Sequence, residues 1–330
     1  MDPRKSARES FARANGLVPK RLVAMPADAS FRRYFRYEDV DRPLLMMDAP
    51  PPQEDVRPFV KVAKHLATLG LRSPAIYAVD EAQGFVLLED FGEATFTRLL
   101  SGGTDEKTLY EFAVDTLAHL HRIPEALRID VPPYDVQVLQ REAALFTEWY
   151  LPYVTGRSLN ESARTAWDAA WASVIGGLPQ PRKSLVLRDF HVDNLMLLEH
   201  GEGLERCGLL DFQDALIGPT AYDVVSLLED ARRDVPESLQ RSLKLRYIEL
   251  SDDIDQTGFD AWFNVLGAQR HAKVLGIFVR LNERDGKSSY LKHLARVCRL
   301  LDAKLATVEL TAVRQWFEKY LGDAVVPTKP

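Results

Sequence analysis

The residues of this chain best suited to chemistry lie in one run, Leu185-Val-Leu-Arg-Asp189-Phe-His-Val-Asp-Asn194-Leu-Met-Leu, followed by Leu209-Leu-Asp211-Phe-Gln-Asp214. Asp189 and Asn194 sit on a short polar stretch between apolar runs, and Asp211 closes the next apolar run. Phosphoryl transfer to a hydroxyl needs this combination. One carboxylate accepts the proton of the attacking hydroxyl, while another carboxylate and an amide oxygen hold Mg²⁺ against nucleotide phosphates. Asp189 is placed for the first task, and Asn194 and Asp211 for the second.

The order and spacing follow the protein-kinase catalytic loop and its metal-binding Asp, with two departures. Leu187 stands two residues before Asp189, where that template has His. Asp211-Phe212 is followed by Gln213 instead of Gly. Any one of these residues alone reads as a solvated turn. Their order between two hydrophobic strands makes the kinase reading the stronger one.

Two kinds of element must position these groups. Up to about residue 90 the pattern is that of a small antiparallel sheet. Strands are expected over Leu17–Ala24, Phe31–Tyr37 and Leu44–Met47, followed by a helix from Glu54 to Leu69 and a hairpin of Ile76–Val79 and Phe85–Leu88. Arg42-Pro43 reads as a turn. Residues 1–15 are charged and helix-like, with Gly16 as the stop. Glu89-Asp90-Phe91-Gly92 reads as a connector, after which helical spacing dominates. Helices are expected over Asp105–His121, Asp135–Tyr150, Leu159–Ile175, Tyr222–Ala231, Pro236–Leu250, Phe259–Asn282 and Tyr290–Val308, with a frayed tail after Leu321. The fold class is therefore α+β and bilobal. A small β-rich lobe at 1–90 precedes a larger helical lobe at 91–330 that carries the chemistry, with a nucleotide cleft between them.

The 330 residues suffice for two packed lobes, and the formal charge of −6 gives no electrostatic reason to expect nucleic acid or a membrane surface. No run approaches transmembrane length without charges, and no early apolar segment reads as a signal. Cys207 and Cys298 fit neither a metal site nor a disulfide framework and read as buried thiols of a cytoplasmic protein. No obligate protein partner is evident.

The chain resembles the aminoglycoside phosphotransferase and choline kinase branch of the protein-kinase-like fold over nearly its full length. Arg188-Asp-Phe-His-Val-Asp-Asn194, Leu210-Asp-Phe-Gln-Asp214 and Gly218-Pro-Thr-Ala-Tyr-Asp223-Val-Val-Ser carry the likeness. Further runs are similar to the bacterial anomeric sugar kinases of cell-wall recycling: Ser30-Phe-Arg-Arg-Tyr-Phe-Arg36, Met47-Asp-Ala-Pro-Pro51, Asp230-Ala-Arg-Arg-Asp-Val235 and Gln269-Arg-His-Ala-Lys-Val-Leu-Gly-Ile-Phe278. That resemblance implies an ATP- and Mg²⁺-dependent enzyme acting at the anomeric hydroxyl of N-acetylmuramate or N-acetylglucosamine. The rivals are a kinase of another alcohol, such as an aminoglycoside, choline or homoserine, and a pseudokinase-like binding module.

One departure favours the last rival. The fold normally carries a phosphate-binding Lys on its third strand, and Leu44-Leu-Met-Met47 has none. Arg32 or Arg33 is expected to replace it, because Arg is a planar, permanently charged phosphate ligand. Only one of two neighbours on an alternating strand can face the cleft, and Arg33 is the one expected to do so. Ser30 and the backbone of its turn are candidates to cradle phosphate. The resemblance places adenine against the connector at Leu88, Glu89, Asp90 and Phe91. For the acceptor the candidates are Trp149 for stacking, Arg188, His191, Gln213 and Asp214. His191 and Asp223 read chiefly as structural parts of the loop. Arg141, Arg232, Arg233, Arg270, His271 and Lys273 are candidates for a substrate carboxylate, with most of them expected at the surface.

Overall fold

A computed structural model describes residues 2–26, 31–38, 43–252 and 254–322. Ser30 and the rest of its turn at 27–30, Arg42 and the tail from 323 lie outside the described residues. In chain order the elements are α1 (Lys5–Ala14), β1 (Leu22–Ala24), β2 (Arg33–Tyr37), β3 (Leu44–Asp48), α2 (Val56–Thr68), β4 (Ile76–Asp80), β5 (Phe85–Glu89), α3 (Phe96–Ser101), α4 (Glu106–Arg122), α5 (Val136–Leu145), α6 (Leu151–Thr155), α7 (Glu161–Gly176), β6 (Lys183–Val186), β7 (Leu195–Leu197), β8 (Cys207–Leu209), β9 (Leu216–Pro219), α8 (Ala221–Leu228), α9 (Glu237–Leu250), α10 (Gln256–Asp285), α11 (Leu294–Leu305) and α12 (Thr311–Leu321). Several helices begin on the side-chain cap their sequence supplies. Asp55, Asp135, Asn160 and Asp255 each accept a backbone N–H of the first turn.

The contacts divide the chain into two compact units, residues 1–116 with 192–215, and residues 117–191 with 216–330. In the first unit, β1 to β5 form an antiparallel sheet in the order β1-β2-β3-β5-β4. The register pairs Arg33 with Asp48, Phe35 with Met46 and Tyr37 with Leu44, so these side chains share one face. That face and α1 build a core from Phe11, Ala12, Leu17, Phe35, Tyr37, Leu44, Met46, Phe85 and Leu87. Asp48, 0% exposed, lies at the end of this face and takes Arg4 (2.6 Å), Arg8 (3.1 Å) and Arg33 (2.7 Å). Arg8 also covers the Phe35 ring, and Arg4 that of Phe85. The β7–β8 hairpin packs with this unit, and Gly208 is held against the Phe91 ring, where a Cβ would approach to 2.9 Å.

The second unit is built around α10, about 45 Å long at 1.5 Å per residue. It packs against α5, α8 and α11. Phe146, Trp167, Trp171, Trp316 and Phe317 form an aromatic cluster between α5, α7 and α12.

Three expectations from sequence are revised. Strand covers only Leu22–Ala24 of the Leu17–Ala24 run, because Pro19 opens a 3₁₀ turn to Arg21. The helix expected over Asp135–Tyr150 changes at Phe146 into a π-helical turn to Tyr150. There Gly276 of α10 meets the Leu145 carbonyl so closely that a Cβ would stand 2.2 Å from its oxygen. The run from Tyr290 begins as a 3₁₀ turn over Ser288–His293 before α11. The helices α3 and α12 were not anticipated.

Candidate active site

The first unit contains the residues expected to hold a metal ion. Leu195 pairs with Leu209 and Met196 with Gly208, so the antiparallel ladder brings the chain before β7 alongside the chain after β8. The Leu210 N–H donates to the Asn194 carbonyl at 3.0 Å. Asn194 and Asp211 therefore leave the same end of one hairpin. Asp211 has φ 57°, and its carboxylate is about half exposed, steadied by the Gln213 amide at 2.8 Å. One carboxylate and one amide, with room left for water and phosphate oxygens, is a ligand set that fits Mg²⁺. Among the described residues no group of three or more His, Cys, Asp and Glu forms an all-protein metal cage. Gln213 is half-buried and Asp214 exposed beside Asp211.

The two arginines divide differently from the expectation. Arg33 lies on the α1 face of the sheet and is engaged by Asp48 and by Asp2 at 3.1 Å. Arg32 lies 3.8 Å from Asp211 and 3.2 Å from Glu54. Strand alternation does send the neighbours opposite ways, but Arg32, and not Arg33, reaches the end of the hairpin that carries Asp211.

The connector also has prior commitments. The Glu89 N–H donates to the Ala75 carbonyl and the Asp90 N–H to that of Pro43. The Glu89 carboxylate binds Arg72 and the Ala75 N–H, and the Asp90 carboxylate binds Arg36. Leu88 is buried within β5, between β3 and β4. Phe91 is half-buried between Arg72 and Gly208.

Asp189 belongs to the second unit, where two features fix its segment. Asp223, 0% exposed at the start of α8, accepts the N–H groups of Leu187 (2.7 Å) and Arg188 (2.8 Å). Arg188 has φ 71°. Among the described residues, Arg188 and Asp211 are the two non-glycine residues with left-handed backbone, one immediately before Asp189 and one after β8. Burial pushes the Asp189 carboxyl up, but the nearby Lys273, His191, Arg270 and Arg188 outweigh it and hold the group below its ordinary range. Asp189 is thus an anion at neutral pH.

A buried ion cluster stands behind it. Glu142 of α5 accepts from Lys273 at 2.9 Å, from Arg188 and from the Tyr134 hydroxyl, while Gln269 donates at 3.3 Å. Burial opposes ionisation of Glu142, yet Lys273 and Arg188 bring its pKa down to about 2. His191 is buried, with Nε2 3.5 Å from Arg232 Nη1, and desolvation lowers its pKa. Trp149 stands half-buried on the π-helical turn.

Sequence reasoning missed Glu142, a carboxylate inside a helical pattern with nothing to mark it as buried. Of the six candidates for a substrate carboxylate, most of them expected at the surface, Arg270, His271 and Lys273 are 3%, 0% and 8% exposed. Their position on a helix that is buried through most of its length was the available signal.

A family model described as the phosphotransferase enzyme family matches residues 21–259. The chain belongs to that family. It is therefore an enzyme of the phosphotransferase class. An N-acetylmuramate/N-acetylglucosamine kinase of Pseudomonas aeruginosa is 41% identical over 297 residues, covering 87% of this chain and 85% of the relative. One of Caulobacter vibrioides is 33% identical over 352 aligned positions, covering 96% and 97%. Among solved structures, an ADP-bound aminoglycoside phosphotransferase shares the fold at TM-score 0.61 and 14% identity, covering 91% of this chain and 98% of that one.

Proposed function

We propose that this phosphotransferase uses ATP and Mg²⁺ to phosphorylate the anomeric hydroxyl of N-acetylmuramate and N-acetylglucosamine, giving the sugar 1-phosphate for peptidoglycan recycling in the cytoplasm. The likeness to kinases of those two sugars over nearly the whole chain carries the reading. The ADP-bound neighbour supports ATP as the phosphoryl donor. Two free, buried cysteines agree with a reducing compartment.

In this reading Asp189 accepts the proton of the anomeric hydroxyl as that oxygen bonds to the γ-phosphorus and the bond to the bridging oxygen of ADP breaks. A carboxylate held below its ordinary pKa is a weak base. It suits a hemiacetal hydroxyl, which is more acidic than an ordinary alcohol. Asn194 and Asp211 would hold Mg²⁺, which when bound neutralises charge on the β- and γ-phosphate oxygens. Arg32 takes the place of the missing third-strand Lys at the phosphates. Asp223 and Arg188 orient the segment that carries Asp189.

The test is phosphorus NMR of the product formed from N-acetylmuramate and ATP. Coupling of phosphorus to the anomeric proton is the expected result. Coupling to the C6 protons, or turnover only with an aminoglycoside or choline, overturns the sugar assignment. Asp189→Asn should fold and lose about 10²–10⁴-fold in turnover. Near-wild-type turnover would remove Asp189 from the role.

A further inference from the structure

Arg270 is 3% exposed, and among the described residues its guanidinium makes no hydrogen bond and no ion pair. Its Nη1 is fully occluded without a partner. A buried guanidinium nitrogen with no acceptor is unfavourable in a finished structure, and native proteins rarely leave one unless a ligand completes it. The neighbouring cations are not in this condition. Lys273, one helical turn further along α10, and Arg188 both form ion pairs with Glu142.

Arg270 acts electrostatically on both Asp189 and His191. The buried Asp230, 1% exposed, acts on the same His191, and its Oδ2 also lacks a hydrogen-bond partner among the described residues. The two opposite charges do not pair with each other; Asp230 instead accepts the Arg232 N–H at 2.8 Å. An open donor and an open acceptor around one histidine suit a ligand that carries both an anionic group and hydroxyl or amide donors. Asp189 is the residue that meets the acceptor hydroxyl, so that ligand is the acceptor.

We infer that Arg270 is a specificity residue that binds a carboxylate carried by the acceptor sugar. The inference rests on the function proposed above and deepens it. N-acetylmuramate bears a lactyl carboxylate that N-acetylglucosamine lacks, so the two sugars separate recognition of the carboxylate from everything else. The planar fork of Arg binds a carboxylate through two parallel hydrogen bonds, a geometry that Lys cannot reproduce.

The experiment measures kcat and KM for both sugars with wild type, Arg270→Met and Arg270→Lys, together with thermal unfolding of each protein without ligand. Arg270→Met should raise KM for N-acetylmuramate about 10- to 100-fold, the effect of losing a hydrogen-bonded charge. KM for N-acetylglucosamine should stay within about twofold, any change in kcat should be the same for both sugars because Arg270 also acts on Asp189, and Arg270→Lys should fall between. The unliganded Met variant should unfold at the wild-type temperature or above, because a buried cation without a partner is replaced by an apolar chain of similar volume. An equal rise in KM for both sugars, unchanged KM for N-acetylmuramate, or a clear fall in unfolding temperature would each overturn the inference. Wild type that turns over neither sugar would overturn the proposed function, and this inference with it.

Discussion

Asp223 accepts the backbone N–H of Arg188 at 2.8 Å, and Arg188 is held there at φ 71°. The residue after this bend is Asp189. A buried carboxylate thus stabilises a backbone conformation that Arg would not adopt unaided, and the position of the proposed catalytic base depends on it.

Replacing Asp223 by Ala should leave two backbone donors buried and unsatisfied, at about 1–3 kcal/mol each. Turnover should fall about 10²-fold, the effect of misplacing a reacting group by an ångström. Steady-state kinetics and thermal unfolding measure both effects. Wild-type kcat in a protein of unchanged stability would show that the bend does not need Asp223.

Arg32→Ala and Arg33→Ala should separate cleanly. The first should raise KM for ATP about tenfold or more, as loss of a charged phosphate ligand does, with little change in stability. The second should leave ATP kinetics alone and lower the unfolding temperature, because Asp48 is 0% exposed and loses one of its three arginines. The opposite pattern would return the phosphate role to Arg33.

Glu142→Gln should destabilise the protein by about 3–5 kcal/mol near neutral pH, since Arg188 and Lys273 lose their shared counter-charge. The Glu142 carboxyl titrates lower in the folded than in the unfolded chain. Its contribution is therefore complete above the ordinary carboxyl pKa of about 4.3 and fades as pH falls towards about 2. Urea unfolding at pH 7 and pH 3 should show the gap between wild type and variant narrowing in acid. A constant gap would mean that Glu142 acts by shape and not by charge.

Asp211→Asn tests the metal site without disturbing the backbone, because Asn tolerates the left-handed φ of 57° at this position. Heat of ATP binding that depends on Mg²⁺ should disappear in calorimetry. Wild-type heats would place the metal on other ligands.

The local part of the site was legible in the sequence. Asp189, Asn194 and Asp211 stand at loop and strand ends that apolar runs mark out, and a hairpin needs no distant information to bring Asn194 and Asp211 to one end. Alternation also required Arg32 and Arg33 to part company. The choice of face was not legible, because it is decided by Asp48 and by α1, which supplies Arg8 to that carboxylate. Glu142 and Lys273 are 131 residues apart, and their pairing is a property of packed helices that no local period encodes. The π-helical turn escaped for a similar reason: its own residues keep helical spacing, and the close approach of Gly276 comes from another helix.

The arginine clamp on Asp48 ties the amino end of the chain to the sheet. Arg4 and Arg8 supply two of the three positive charges around a carboxylate sealed from water. A variant that loses both Arg4 and Arg8 would leave this buried carboxylate with Arg33 alone and upset the charge balance of the sheet.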